Sequence, residues 1–434
     1  MASQRRLSKA GISDAGRQRK SPPKPKSTQP NSSFFRRNST LLLLVFFVFS
    51  ATTIFFYLHN NQQRQTDLRE DTSFFSGEPI STDLSYKSVL SDHDKFVHED
   101  RTKRHFNGSV LAYVTPWNSK GYEMAKLFRH KFTHISPVWY QLKCEEKVVL
   151  NGRHDVDQKW IESIRVGGSP MVLPRFTMEG SQMEDVLAGR DESEIAINII
   201  VSECKTMHYD GVVFEAWNGW AHSGILDNPI LRQKALNFVR DLGAALHRVQ
   251  LPRPNRNMRL IFVIPPPAAH NDAKFFTRSD MDMLHRSVDG FSLMTYDYSN
   301  PYQPGPSAPL PWIHSCLHML LGIQQKVQHS GGSTLASKIL TGLNFYGNDF
   351  VLPSGGGPVI GHEYISLLKK HKPTFLWDGK AQEHYFQYTV GKKHIVFYPS
   401  LKSLYVRLEA ARSWGTGISI WEIGQGLEYF FDLL

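Results

Sequence analysis

Residues 209–217 read Tyr209-Asp210-Gly211-Val212-Val213-Phe214-Glu215-Ala216-Trp217. A short apolar run after an Asp-Gly pair is the signature of a strand covered on both faces, with helices outside and side chains inside. Seven further runs share this texture: Val110 to Val114, Thr133 to Val138, Pro170 to Phe176, Arg259 to Ile264, Gly290 to Thr295, Lys338 to Phe345 and Gly417 to Trp421. Helical patterns separate them. One is announced by Asn228 as N-cap and Pro229 at the first helical position, another by a Ser181/Glu184 capping box. Eight strand-helix units over residues 106–434 predict an α/β fold of the (β/α)8 TIM-barrel class rather than an open doubly wound sheet. The 347–400 stretch is too long for an ordinary connection and predicts a small inserted subdomain between the seventh and eighth strands.

Outward of this domain the composition changes. The first 40 residues hold ten Lys and Arg against Asp14 alone, which is nearly all of the chain's net charge of +10. The remainder is close to neutral, so the folded part shows no clustered basic face and nucleic acid is excluded as a partner. Residues 1–40 read as a disordered basic cytosolic tail, since they offer no apolar periodicity. From Leu41 to Leu58 the run LLLLVFFVFSATTIFFYL carries no charge, and 18 such residues predict one transmembrane signal-anchor helix. Basic residues before it predict a single-pass type II protein with its domain in the secretory or endomembrane lumen or at the cell surface. Residues 59–105, mixed in charge and without periodicity, read as a stalk. In that placement Asn107, in Asn107-Gly108-Ser109, is a glycosylation acceptor, and Cys144, Cys204 and Cys316 allow at most one disulfide of open pairing. His314 and His318 are spaced i, i+4, but no Glu follows the first His and no third ligand is apparent, so neither metal nor cofactor is expected.

Functional side chains of such a barrel collect at the C-terminal strand ends. Besides 209–217, the ends Phe291-Ser292-Leu293-Met294-Thr295-Tyr296-Asp297-Tyr298, Gly342-Leu343-Asn344-Phe345-Tyr346-Gly347 and Gly417-Ile418-Ser419-Ile420-Trp421 stand out. Together these resemble the family 18 glycoside hydrolases, over the whole span from about Phe106 to the C-terminus. The family's fourth strand reads Asp-Gly-x-Asp-x-Asp-x-Glu, with the last Glu as general acid. Here Asp210 and Gly211 are kept, Val213 and Glu215 replace the inner Asp residues, and Trp217 stands at the Glu position. Strand alternation puts Val213, Glu215 and Trp217 on the interior face.

Trp cannot protonate a leaving oxygen, and losing a positioned general acid typically removes about 10² to 10⁴-fold of rate. The resemblance therefore implies a binder of N-acetylglucosamine-containing oligosaccharides rather than a hydrolase. It makes Trp421 the sugar floor, with Met294, Tyr296 and Asp297 on the wall of the same subsite. Tyr113 and Trp139 are candidate extensions of this aromatic platform, for which core packing is the alternative. Trp217 either stacks on sugar or plugs the former catalytic centre. Two other readings stand beside this one. Glu215 could serve as a substitute acid in a hydrolase of altered mechanism, although it lies about 6.5 Å down the strand; its bland alternative is a carboxylate held by Tyr296 or Arg175. Or Trp217 could fill the cleft, with the outer barrel or the 347–400 insert as a scaffold for a protein partner.

Overall fold

The computed structural model describes residues 80–167, 170–252, 256–268, 274–322 and 335–434. Its main sheet is built from β1 (Val110–Val114), β2 (His134–Pro137) and its continuation β3 (Tyr140–Cys144), β4 (Val148–Asn151), β5 (Met171–Val172) and its continuation β6 (Arg175–Glu179), β7 (Gly211–Glu215), β8 (Arg259–Ile264), β9 (Gly290–Leu293) and β10 (Ile339–Asn344). The insert supplies β11 (Gly347–Val351), β12 (Gly356–Val359), β13 (Leu376–Asp378), β14 (Glu383–Val390) and β15 (Lys392–Phe397), and β16 (Gly417–Trp421) returns to the main sheet. The main order is β4-β3-β6-β7-β8-β9-β10-β16-β1-β2-β5, all parallel except the β3/β4 hairpin. The ends of that order are halves of the same two interrupted strands. β2 pairs with β5, and their continuations β3 and β6 pair in turn, so the curled sheet closes on itself.

Strand alternation divides the core into two layers. Leu111, Tyr113, Val138, Leu173, Val213, Ile261, Val263 and Leu340 fill the interior, with Met294 and Trp421 against them. Their neighbours Ala112, Val114, Val212, Phe214, Phe262 and Ile420 face the surrounding helices. The helix Pro229–His247 begins as its sequence predicts, Asn228 accepting from the amides of Ile230 and Leu231. The Ser181/Glu184 box does not form. Ser181 turns to the Glu145 carboxylate, 2.7 Å away, and the helix Met183–Ala188 starts after Gln182 without a side-chain cap.

The insert is a five-stranded antiparallel sheet, β12-β11-β15-β14-β13, with the helix Gly361–His371. A buried Arg407–Glu383 pair, 2.8 Å apart, ties it to the barrel. Glu383 accepts from the amides of Ser307 and Ala308, and Arg407 donates to the Gln382 and Ala308 carbonyls. Without those hydrogen bonds the two charges would be costly to bury.

Two expectations need correction. The predicted span Leu41–Leu58, like the tail before it, lies outside the described residues, and among the described residues no helix is long and apolar enough to cross a membrane. The membrane-anchored fold, the membrane as partner and the type II lumenal localisation are withdrawn on that finding. The stalk does not extend to residue 105, because from Ile80 onward the chain packs on the barrel. Val89 is buried, Phe96 meets Phe128 edge-on at 5.1 Å, the Val97 amide donates to Asp432, and His384 Nε2 contacts the Thr82 carbonyl at 3.0 Å. Those apolar residues were spaced too irregularly to register as helix or strand. Cys144, Cys204 and Cys316 are all free and buried, so no bridge forms among them, within the limit of one that their number sets.

Candidate functional site

Asp210 and Gly211, the Asp-Gly pair that opens the fourth strand, do structural work. The Asp210 carboxylate accepts from the Val172 amide at 2.8 Å and from Arg165 at 2.7 Å, stitching β5 to β7. Gly211 has φ 152°, and a Cβ there would lie 2.1 Å from the Arg259 carbonyl oxygen, so only glycine lets β8 approach.

Above this base, Tyr113, Arg175, Glu215, Met294 and Trp421 point inward toward the C-terminal mouth. Trp421 is half-buried; its ring lies 5.2 Å from that of Tyr113, and the Arg175 guanidinium carbon is 5.7 Å from its centroid. Tyr113 is buried and donates its hydroxyl to Ser292 Oγ across the interior at 2.9 Å; burial raises its pKa above the ordinary tyrosine value. Glu215 Oε2 is 3.0 Å from Arg175 Nε, close enough for an ion pair but without hydrogen-bond geometry, and the Nε stays buried and unpaired. Tyr296 packs over Gly342, where a Cβ would sit 2.9 Å from its ring, and approaches Tyr346 edge-on at 6.4 Å. Burial raises the Tyr296 hydroxyl well above its ordinary pKa. Asp297, in a left-handed conformation at φ 59°, is exposed and accepts from the Tyr346 hydroxyl.

Two of the expected aromatics are elsewhere. Trp139 is fully buried in the outer layer against Trp160 and Tyr209, its Nε1 donating to the Tyr122 hydroxyl at 2.7 Å. Register explains this: Ser136 lies beside inward-facing Tyr113, so Val138 also faces in and Trp139 out. Trp217 is also buried in the outer layer. The strand stops at Glu215 and a helix, Trp217–His222, starts after Ala216, so alternation no longer governs residue 217. Its ring meets Phe276 and Phe262 edge-on, Arg232 lies 4.8 Å over its centroid, and its Nε1 donates to the Lys274 carbonyl at 2.8 Å. It neither stacks on a ligand in the cleft nor plugs it.

Reasoning from sequence also missed a charged group beside the site. Glu179 at the end of β6 accepts from Lys143 at 2.7 Å and from Thr177 at 2.7 Å; the Lys143 ammonium holds its carboxyl below the usual range. The inward parity of 175, 177 and 179 on the third strand would have found it. His314 is engaged structurally, its Nδ1 accepting from Trp414 Nε1 at 2.8 Å, and among the described residues no His, Cys, Asp and Glu cluster could hold a metal ion. Asn107 is exposed just before β1.

A closed parallel sheet with an aromatic ring and polar side chains gathered at its C-terminal mouth is the arrangement in which barrels of the TIM type carry their functional groups. The family model described as glycosyl hydrolases family 18 matches residues 178–426, more than half of the chain. The protein belongs to that family. Among curated relatives, the cortical fragment-lytic enzyme of Bacillus anthracis is 26% identical over 170 residues, 37% of this chain and 37% of the relative. That of Bacillus subtilis (strain 168) is 25% identical over 168 residues, again 37% of each chain. The match thus spans little more than a third of those relatives. Among solved structures, a chitinase from Chromobacterium violaceum ATCC 12472 superposes with a TM-score of 0.61 at 20% identity, covering 75% of this chain and 98% of that one. A mutant Cycas revoluta chitinase in complex with (GlcNAc)4 gives 0.62 at 13% identity, covering 75% and 98%. These likenesses speak to the fold.

Proposed function

We propose that this chitinase-like barrel binds N-acetylglucosamine-containing oligosaccharides without hydrolysing them, and that within family 18 it resembles chitinase domain-containing protein 1. The observation that carries the reading is the mouth itself. Around the Trp421 floor, Arg175, Glu215, Tyr296 and the Trp421 indole N–H have no hydrogen-bond partner among the described residues. Partly buried polar groups left unmatched are the complement of a polar ligand, and an aromatic floor suits the apolar C–H face of a sugar ring.

Loss of hydrolysis follows from position 217. The aligned acid is replaced by a Trp that is packed in the outer layer and hydrogen-bonded there. Glu179, at the end of β6, is held below the usual carboxyl range by Lys143, the opposite of what a proton donor needs. Glu215 is engaged by Arg175 and lies two residues below the acid's position. The scaffold reading rested on Trp217 filling the cleft, and it loses that support.

The test is a titration of the full-length protein with N-acetylglucosamine oligomers of increasing length, followed by tryptophan fluorescence. Saturable binding that tightens with length and is lost in Trp421→Ala is expected. A folded protein giving no response at millimolar ligand would overturn the reading and favour a protein partner.

A further inference from the structure

The end of the barrel opposite the mouth carries arginines that the fold does not use. Just before β8 the chain pairs antiparallel with itself. The Met258 amide donates to the Val249 carbonyl at 3.0 Å, the Leu251 amide to the Arg256 carbonyl at 2.8 Å, and Gln250 bridges to Asn257. This short ladder sets Arg248 and Arg259 at facing positions at its base. The turn before β9 lies alongside, since the Asp289 amide donates to the Leu260 carbonyl at 2.7 Å, and it brings Arg286 to the same end. Arg248, Arg256, Arg259 and Arg286 are exposed, and none has a hydrogen bond or ion pair to a described residue.

Basic residues that serve the fold here find acceptors. Arg165 donates to the His208 carbonyl and Asp210, and Lys338 to the His285 and Val288 carbonyls. Asp289, the one carboxylate among the described residues of these two turns, is committed to His247 Nε2 and the Leu260 amide, both at 2.8 Å. Facing like charges destabilise a fold, so four gathered without a counter-charge mark a surface whose counter-charge comes from outside. Near neutrality over the domain as a whole conceals this face, because its members come from separate stretches of sequence.

We infer that this face binds a carboxylate-bearing polysaccharide, a chain of the uronic-acid type. The inference stands apart from the binding reading of the mouth, which lies at the other end of the strands. Three features select the partner. Planar guanidinium groups pair carboxylates two bonds at a time. Gln250 and Asn257, exposed and opposite one another beside the arginines, offer neutral donors and acceptors that suit sugar hydroxyls. The described residues of these turns include no Phe, Tyr or Trp and no strongly exposed large apolar side chain. The face therefore lacks both the stacking platform of a single-stranded nucleic-acid site and the apolar groups that enter a lipid surface.

The test is arginine footprinting of the full-length protein. Phenylglyoxal modifies free guanidinium groups, and peptide mass spectrometry reads each arginine separately, so polymer held by the basic residues 1–40 does not obscure this face. Polygalacturonate is the probe, and its fully methyl-esterified form, the same chain without charge, is the control. At about ten times its dissociation constant, polygalacturonate should slow modification of Arg248, Arg256, Arg259 and Arg286 by about tenfold. Exposed Arg190 should be unaffected, the ester should protect none of them, and salt at about 1 M should abolish the protection. In Arg248→Gln/Arg259→Gln, with melting as the control for folding, Arg286 should lose most of its protection at the same polymer concentration. Unslowed modification of the four arginines in the wild type, equal protection by the ester, or Arg286 protected as before in the folded double variant overturns the inference. Equal protection by dextran sulfate or a DNA duplex at matched charge overturns it as well, because the face would then read charge alone.

Discussion

Replacing Trp217 with glutamate restores the family's acid at its aligned position, and it should yield a less stable protein that still leaves chitin oligomers intact. The Trp217 side chain is 1% exposed and packs edge-on to Phe262 and Phe276. Removing a core Trp of this kind costs about 3–5 kcal/mol. Losing the Nε1 hydrogen bond leaves the Lys274 carbonyl without its donor, which adds roughly 1 kcal/mol. The new carboxylate gains little in return, because Arg232 is already committed to Asp280 at 2.6 Å. The total, on the order of 4–6 kcal/mol, is a large share of a typical domain's stability of about 5–15 kcal/mol. Urea denaturation of wild type, Trp217→Glu and the milder Trp217→Phe measures the loss, and a fluorogenic chitobioside reports any cleavage. A folded Trp217→Glu protein within about 1 kcal/mol of wild type that releases fluorophore would refute the outer-layer placement and the proposed ground for loss of hydrolysis.

Trp421→Ala should weaken chitotetraose binding by about tenfold or more while leaving a cooperative melt, since the half-buried ring supplies the floor and only part of the interior packing; isothermal calorimetry and melting together check this. Tyr113→Phe should cost about 1–2 kcal/mol by leaving the buried Ser292 hydroxyl without its 2.9 Å partner, read from the denaturation midpoint. Glu422 is fully buried, and burial pushes its carboxyl up to about 7 despite donors from Gly424 and Asn118. The folded state then binds more protons than the unfolded chain between the ordinary glutamate range and pH 7. Its contribution to stability is full below about pH 4 and is lost as the pH rises through 7, by a few kcal/mol at most. Denaturation midpoints of wild type should fall relative to those of Glu422→Gln over that interval, and parallel pH profiles would count against the assignment.

The strands were legible because their apolar runs are continuous and their boundaries are marked: β1, β7, β8 and β16 fall on the residues the sequence suggests. Interruptions were not. Pro174 splits the third strand, and the break at Val138 and Trp139 splits the second, so their continuations β6 and β3 had no separate signal. The candidate site divides the same way. Tyr113, Glu215, Met294 and Trp421 face the interior because strand parity holds through them. Trp139 lies on the wrong parity, and Trp217 lies beyond the strand's last residue, where a helix without a capping side chain starts. Arg175 looked like a mere partner for Glu215, since nothing in a sequence says that a buried guanidinium will lack hydrogen bonds. The packing of residues 80–105 on the barrel depends on scattered contacts such as Val89 and Phe96, which no period encodes.

The most direct test of the central claim is to saturate the full-length protein with chitotetraose, confirm occupancy by tryptophan fluorescence, and follow the sugar by mass spectrometry through a prolonged incubation. Binding with the tetramer recovered whole is the predicted result. Shorter oligomers accumulating in proportion to protein, and absent with Glu215→Gln, would contradict it and make this barrel a hydrolase of altered mechanism.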